Sequence, residues 1–167
     1  MKEQTIASYL EELSSAEGLP GGGSGAALIG AMAGALGKMV TGIYGKRKTA
    51  TNQKKALQEI GKESETLILK LTELMEADAV AFDEAAVAMR LPHQTKEEEK
   101  IRNQRIEAGL EKACMPPFDV MEASLKQLAI MERLTGLKIE GSIVNDIAVG
   151  ILFSRTSLEA AFLNVLV

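Results

Sequence analysis

A run of three glycines in Pro20-Gly21-Gly22-Gly23-Ser24 is the first stretch whose residue types could do chemistry. Gly21, Gly22 and Gly23 have no Cβ, so their backbone N–H groups can approach a ligand closely. A long apolar segment follows, and Ser24 is a suitable N-cap for it, so the run is predicted to precede a helix that favours an anion or a polar carbonyl. The stretch is not a P-loop, because no Lys follows at the required position. The alternative is a flexible turn with a helix cap.

Asp78 is the second candidate, because it interrupts an apolar helical seam. A carboxylate among apolar residues must be paired, hydrogen-bonded or protonated. Desolvation would raise its pKa toward the range that is useful for acid–base catalysis. The alternatives are a structural hydrogen bond across a helix bundle, or a helix rotated so that Asp78 faces solvent.

Two further groups of polar residues are weaker candidates. Asn145-Asp146 precedes an apolar helical segment, and the role of helix N-cap would explain the pair fully. Lys46-Arg47-Lys48 follows a glycine at the end of another segment, where positive charge suits the helix dipole. The same lysines could hold the carboxylates of a ligand.

The elements that must position these residues are predicted to be helices. The first covers Thr5 to Ser14, and the second, rich in Gly and Ala, starts at Ser24 and ends near Tyr44. A third, from Thr51 to Met89, contains one Gly and no Pro, and its inward residues recur in steps of three and four. That seam consists of Leu57, Ile60, Ser64, Leu67, Leu71, Leu74, Asp78, Ala81, Ala85 and Ala88.

Three more helices complete the prediction. Thr95-x-x-Glu98 is a capping box for a fourth helix that reaches Cys114. Pro116-Pro117 starts a fifth that ends near Gly136, and a sixth begins at Asn145 or Asp146. No segment alternates with period two, so we expect an all-α bundle of about six helices in a single domain over residues 1–167. The last helix has no glycine C-cap, so a C-terminal piece is expected to be missing.

The segment Ser24 to Tyr44 is long and apolar enough to span a bilayer, and it includes Gly30-x-x-x-Gly34. Lys38 interrupts it, and its glycines make it weakly hydrophobic. We therefore expect a helix buried on all sides rather than a membrane span.

Composition narrows the class of protein. The chain of 167 residues is 46% hydrophobic and 25% charged, which is typical of a globular protein. Its net charge of -4 argues against nucleic acid as a partner. The single Cys114 fits a reducing cytoplasm, and one His with one Cys makes a tightly held zinc site improbable.

The ordered set of motifs resembles the cyclodeaminase domain of the formiminotransferase-cyclodeaminase family. The resemblance starts at Pro20-Gly-Gly-Gly-Ser24 and ends at Asn164 in the final helix, so it covers nearly the whole chain. The family usually has Ser where this chain has Asn145. Between these ends, the matching stretches are Gly45 to Lys48, Asp78-Ala-Val-Ala-Phe82, Leu91-Pro92, the charged run to Arg102, Ala113 before Pro116-Pro117, Asp146, Gly150 and Ala161 to Val165.

The resemblance implies an all-α fold, a homodimer and a tetrahydrofolate substrate, with no metal and no cofactor beyond that substrate. Two reactions occur in the family. A cyclodeaminase converts 5-formiminotetrahydrofolate to 5,10-methenyltetrahydrofolate and ammonia, and a cyclohydrolase interconverts methenyl- and 10-formyltetrahydrofolate. We expect the first, with the second as the alternative. A non-catalytic protein that binds folate or only dimerises is the alternative from another class.

The same resemblance implies roles for individual residues. Asp78 and Asp146 would be the catalytic acid–base groups. Lys46 would meet the negative glutamate tail of the folate. The other substrate-binding residues would be Gly21, Gly22, Gly23, Ser24, Phe82 and Asn145.

Overall fold

A computed structural model describes residues 3–16 and 19–166 of the chain. Within these residues there are helices and no strands, so the predicted all-α fold is confirmed. Where about six helices were expected, five long helices form the bundle and a short one precedes them. Their bounds are α1 Ile6–Leu13, α2 Gly22–Tyr44, α3 Lys54–Met89, α4 Lys96–Ala113, α5 Met115–Gly136 and α6 Val144–Val165, with a 3-10 helix at Lys48–Gln53 between α2 and α3.

Helix α2 is the centre of the bundle and packs against α3, α5 and α6. Its glycines permit this, because their missing side chains leave room for those of the neighbours. A Cβ on Gly30 would lie 2.7 Å from Ser157 Oγ, and one on Gly34 would lie 2.8 Å from Ile68 Cγ1. The sequence thus sets the distance between α2 and its neighbours through residues that have no side chain.

The expectation that α2 is buried on all sides is wrong. Met32, Met39 and Ile43 are exposed, and their spacing of seven and four residues places them on one face of the helix. Among the described helices, α2 is the one long and apolar enough to cross a membrane, and half of its most apolar window is buried inside the bundle. The physical reason is that three neighbouring helices cover only part of its circumference.

Helix α3 confirms most of the predicted seam. Its buried residues include Leu57, Ile60, Ser64 and Leu71, whereas Asp78 and Ala81 are half-buried. The helix starts at Lys54 rather than Thr51, because the preceding residues form the 3-10 helix.

Helix α4 has the predicted capping box. Thr95 Oγ1 accepts a hydrogen bond from the Glu98 backbone N–H, and the Glu98 carboxylate accepts one from the Thr95 N–H. Gly109 brings α4 onto α3, since a Cβ there would lie 2.8 Å from the backbone of Ala85. The short turn at Cys114 then leads directly into α5.

The sequence predicts polar N-caps for α2 and α6, which carry candidate site residues, and both predictions are wrong. Helix α2 begins at Gly22 with Gly21 as N-cap, and Ser24 lies inside its first turn with its hydroxyl turned into the core. Helix α6 begins at Val144 with Ile143 as N-cap, because the backbone already turns at Gly141, whose φ of 94° favours glycine. Asn145 and Asp146 therefore stand in the first turn of α6 rather than before it.

Candidate active site

A cavity of about 300 Å³ opens where the first turn of α2 meets α3, the junction of α4 and α5, and the end of α6. This volume is at the lower end of the range of small-molecule sites. Its walls are mainly apolar, and its polar groups come from the glycine run, Asp78 and Asn164. The lining residues are Leu19, Gly21, Gly22, Gly23, Asp78, Phe82, Leu110, Ala113, Cys114, Pro117 and Asn164.

The Asp78 carboxyl lies directly against the first turn of α2. A Cβ on Gly23 would overlap the Asp78 carboxyl group, so only glycine leaves room for it in this position. Burial raises the pKa of the Asp78 carboxyl above its ordinary value. The Ser24 backbone N–H donates a hydrogen bond to the carboxyl and opposes part of that rise in the pKa.

The first turn of α2 also offers backbone donors. The leading N–H groups of any helix have no partner within the helix. Ser24 donates to Asp78, which leaves Gly22 and Gly23 to present their N–H groups beside the cavity. These two donors lie next to the half-buried carboxyl of Asp78. The site therefore suits a ligand that offers hydrogen-bond acceptors to the N–H groups and a proton that the carboxyl can exchange.

Asn164 is the polar residue that α6 adds to the cavity. Its Nδ2 donates to the Ala160 carbonyl oxygen at 2.8 Å, so the amide oxygen points away from that carbonyl. A Cβ on Gly22 would lie 3.4 Å from Asn164 Oδ1. The side chain therefore presents an acceptor next to the glycine run.

The structure brings together some of the residues predicted from the sequence. Gly21, Gly22, Gly23, Asp78 and Phe82 line the same cavity. Ser24 lies behind it, fully buried, and contributes its backbone N–H to Asp78.

Three predicted residues lie elsewhere. Lys46 is exposed beyond the C-terminal end of α2, roughly 33 Å along the helix from Gly22. Asn145 and Asp146 are in the first turn of α6, roughly 27 Å along that helix from Asn164. In one copy of the chain they do not line the cavity at Asp78.

Sequence reasoning missed the walls contributed by α4, α5 and α6. Leu110 and Cys114 are ordinary packing residues by type, and Ala113 and Pro117 belong to a matching stretch for which the sequence predicts no role in the site. Asn164 carried a usable signal, because it belongs to a matching stretch at the end of the final helix. Nothing in the local pattern showed that this stretch returns to the glycine run.

A family model that matches nearly the whole chain decides to which family the chain belongs. The model of the family described as formiminotransferase-cyclodeaminase matches residues 5–167. The chain belongs to this family. The resemblance that the motifs suggested is therefore confirmed, and the chain is a member of a family of enzymes of folate metabolism.

Named relatives include both types of activity. The chain is 31% identical over 164 residues to a methenyltetrahydrofolate cyclohydrolase of Methylorubrum extorquens, and the match covers 98% of this chain and 78% of that protein. It is 27% identical over 171 residues to a formimidoyltransferase-cyclodeaminase of Rattus norvegicus, covering 99% of this chain and 30% of that protein. This chain thus spans less than a third of the rat protein.

A solved structure shows the same fold. The crystal structure of formiminotetrahydrofolate cyclodeaminase from Thermotoga maritima superposes with a TM-score of 0.85 at 22% sequence identity. The match covers 99% of this chain and 78% of that one. The bundle described above is therefore the cyclodeaminase fold.

Proposed function

We propose that the chain is a formiminotetrahydrofolate cyclodeaminase, which converts 5-formiminotetrahydrofolate to 5,10-methenyltetrahydrofolate and ammonia. The observation that supports this most is the half-buried Asp78 carboxyl, with its raised pKa, in an apolar cavity beside the first turn of α2. A raised pKa brings this carboxyl closer to the range in which it can both accept and donate a proton during turnover.

The reaction needs one proton to move between two nitrogens of the substrate. The side-arm nitrogen attacks the carbon of the protonated formimino group, and a new carbon–nitrogen bond forms. The tetrahedral carbon then carries an amine, and the proton from the side-arm nitrogen must pass to that amine. The bond to the amine breaks, ammonia leaves, and the methenyl bridge remains. Asp78 would carry this proton, accepting it from one nitrogen and donating it to the other.

The other groups in the cavity would bind and orient the substrate. Phe82, Leu110 and Pro117 form apolar walls that suit a pterin ring. The N–H groups of Gly22 and Gly23 would donate to ring acceptors, and Asn164 Oδ1 would accept from a substrate N–H. The apolar walls would limit the access of bulk water to the tetrahedral carbon.

The second candidate is a methenyltetrahydrofolate cyclohydrolase, and the 31% identical relative of that name favours it. In that reaction water adds to the methenyl carbon, and the same carboxyl would accept a proton from the water. The two candidates share the cavity and Asp78, and they differ in whether an amine or a water oxygen is bound at the carbon.

A paired assay with wild-type protein and the Asp78→Asn variant tests both candidates. The wild type is expected to release ammonia from 5-formiminotetrahydrofolate faster than it hydrolyses methenyltetrahydrofolate. Asn keeps the shape and can still accept from the Ser24 N–H, but it cannot exchange the proton. Turnover should fall about 100- to 10,000-fold while binding of a folate analogue changes by a few-fold.

The outcomes separate the candidates. Methenyl hydrolysis without ammonia release would replace the cyclodeaminase by the cyclohydrolase. Turnover of the variant within about threefold of wild type, far below the usual acid–base contribution, would remove Asp78 from the chemistry.

We further propose that the enzyme works in the cytoplasm as a homodimer, away from membranes and nucleic acid, with no cofactor beyond its tetrahydrofolate substrate. The exposed apolar face of α2 supports a dimer. Lys46, Asn145 and Asp146, which lie a helix length from Asp78, would meet a ligand only if a second copy brought them to the cavity.

A further inference from the structure

Helix α1 is attached to the bundle through one aromatic side chain. Of its eight residues, all of them described, Tyr9 alone is buried, at 4% exposure. Ile6, Leu10 and Leu13 of the same helix are exposed. Tyr9 therefore gives α1 its fixed position against the core.

The Tyr9 hydroxyl ends at the back of the candidate active site. It shares a hydrogen bond of 3.1 Å with the hydroxyl of Ser24, and both side chains are buried. Ser24 belongs to the first turn of α2, where the N-cap residue Gly21 has no side chain that could cap the helix. The bond to Tyr9 is thus a side-chain tether between this turn and a second element.

The same Ser24 holds the Asp78 carboxyl from its other side. Its backbone N–H donates to that carboxyl, which lies so close to Gly23 that a Cβ there would overlap it. A shift of the turn by a few tenths of an ångström would lengthen this bond. Tyr9, Ser24 and Asp78 therefore form a line of contacts that runs from α1 through α2 to α3.

We propose that Tyr9 is a positioning residue of this enzyme, which acts through the Ser24 hydroxyl to hold the Ser24 N–H on the Asp78 carboxyl. The proposal deepens the proposed function and rests on it, because Asp78 matters for turnover only if it is the proton-carrying group. Tyr9 itself does not line the cavity and touches no reacting atom.

The surroundings of Asp78 make its pKa a direct measure of this bond. Among the described residues that line the cavity, Cys114 is the other titratable side chain, and Leu110, Ala113, Pro117 and Asn164 of the facing helices are uncharged. Behind Ser24 the titratable group is the Tyr9 phenol. The hydrogen bond from Ser24 lowers the pKa of Asp78, so loosening it should raise that pKa further.

The test is a Tyr9→Phe variant, which keeps the ring and removes only the hydroxyl. The titration of Asp78 is followed by carbon NMR of the full chain, with the resonance assigned by its loss in Asp78→Asn. A lost hydrogen bond is worth about 0.5–1.5 kcal/mol, so the pKa of Asp78 should rise by a few tenths of a unit to about one unit. The limb of the pH–rate profile that reports Asp78 should move to higher pH by the same amount, with kcat reduced more than KM changes.

Tyr44→Phe is the matched control. Tyr44 is also buried, but it lies at the opposite end of α2, where Arg47 stacks on its ring. The same substitution there should change neither the titration of Asp78 nor the pH–rate profile. An equal shift in both variants would overturn the proposal.

A second variant keeps the test decisive if Tyr9→Phe folds poorly. Ser24→Ala removes the other half of the hydrogen bond, and it should raise the pKa of Asp78 as Tyr9→Phe does. The double variant should show a pKa no higher than either single variant, because the two hydroxyls act as one unit. An unchanged pKa in all of these variants would overturn the positioning role. Because the titration needs no substrate, it gives this answer even if the chain shows neither proposed activity.

Discussion

Asp78 stands out among the described residues of the cavity because none of those that line it with Asp78 is a cation. Burial raises the pKa of its carboxyl, and the hydrogen bond from the Ser24 N–H only partly offsets that rise. A structural carboxylate in a protein core is usually paired with a cation or several donors. The arrangement here suits a group that exchanges a proton, and it has a cost for folding that can be measured.

The first prediction concerns that cost and its dependence on pH. Because the pKa of Asp78 is raised in the folded state, the native protein retains a proton that the unfolded chain has lost. The free energy of unfolding should therefore decrease as the pH rises from about 4, the ordinary pKa of Asp, through the higher native value. Asp78→Asn should lack this decrease, so the variant should be at least as stable as wild type at pH 7.

Urea unfolding of both proteins at pH 4 and pH 7 checks the sign. The stability of Asp78→Asn relative to wild type should be greater at pH 7 than at pH 4. Asp83→Asn, which alters an exposed carboxylate on the same helix, is the control for a change of net charge. A variant that is less stable at pH 7 than at pH 4, relative to wild type, would mean that the ionised carboxylate stabilises the fold.

At the scale of elements, the site depends on how closely α3 approaches the first turn of α2. The glycines there serve packing as well as ligand approach, and two of them differ sharply. A Cβ on Gly23 would overlap the Asp78 carboxyl, whereas a Cβ on Gly25 meets nothing within 4 Å. The two positions lie in the same turn of the same helix, so they form a natural pair of variants.

The second prediction is that Gly23→Ala loses turnover but keeps its fold. The obstructing atoms are the end of a side chain, so the Asp78 carboxyl can rotate away from the Ser24 N–H without moving the backbone. Alanine also favours the helix by up to about 1 kcal/mol, which offsets part of the strain. Thermal unfolding should change little, while turnover falls at least about tenfold, toward the loss expected for Asp78→Asn.

Gly25→Ala is the matched control and should keep wild-type turnover with equal or slightly higher stability. If Gly23→Ala turned over substrate as fast as Gly25→Ala, the position of the Asp78 carboxyl against α2 would not matter for the reaction.

Sequence reasoning predicted the elements well, because the relevant signals are local. Steps of three and four residues identified α3, and Thr95 with Glu98 identified the start of α4. It is wrong at the starts of α2 and α6, where the polar residues that it predicts as N-caps lie inside the helices. Ser24 is turned inward by its bond to Tyr9, a tertiary contact that no local pattern contains.

The candidate site was only partly predictable for a related reason. Gly23 and Asp78 could be found because each departs from the pattern of its own segment. The placement of Asn164 beside Gly22 depends on α2 and α6 running in opposite directions, whereas the distance of Lys46 from Gly22 follows from the length of α2. The relative direction of two helices is a property of the assembled bundle, and neither the local patterns nor the resemblance predicts it.

At the scale of the whole molecule, the exposed face of α2 is one of the apolar surfaces that the described helices leave uncovered. Met32 and Met39 are seven residues apart on this face, and Ile43 continues the row. A two-fold axis near Met32 would then pair the start of α2 in one copy with the end of α2 in its partner. That arrangement would bring the Lys46 end of one copy toward the glycine run of the other.

The third prediction follows from this geometry and concerns the oligomeric state. The wild-type chain should be a homodimer at micromolar concentration, as measured by light scattering after size exclusion. Met32→Glu should be a monomer, because the new charge in the centre of the apolar interface would have no partner. Leu69→Glu is the control, since Leu69 is also exposed and apolar but belongs to α3, so this variant should remain dimeric. Circular dichroism should show unchanged helix content in both variants. A monomeric wild type, or a dimeric Met32→Glu, would show that the α2 face does not join two copies.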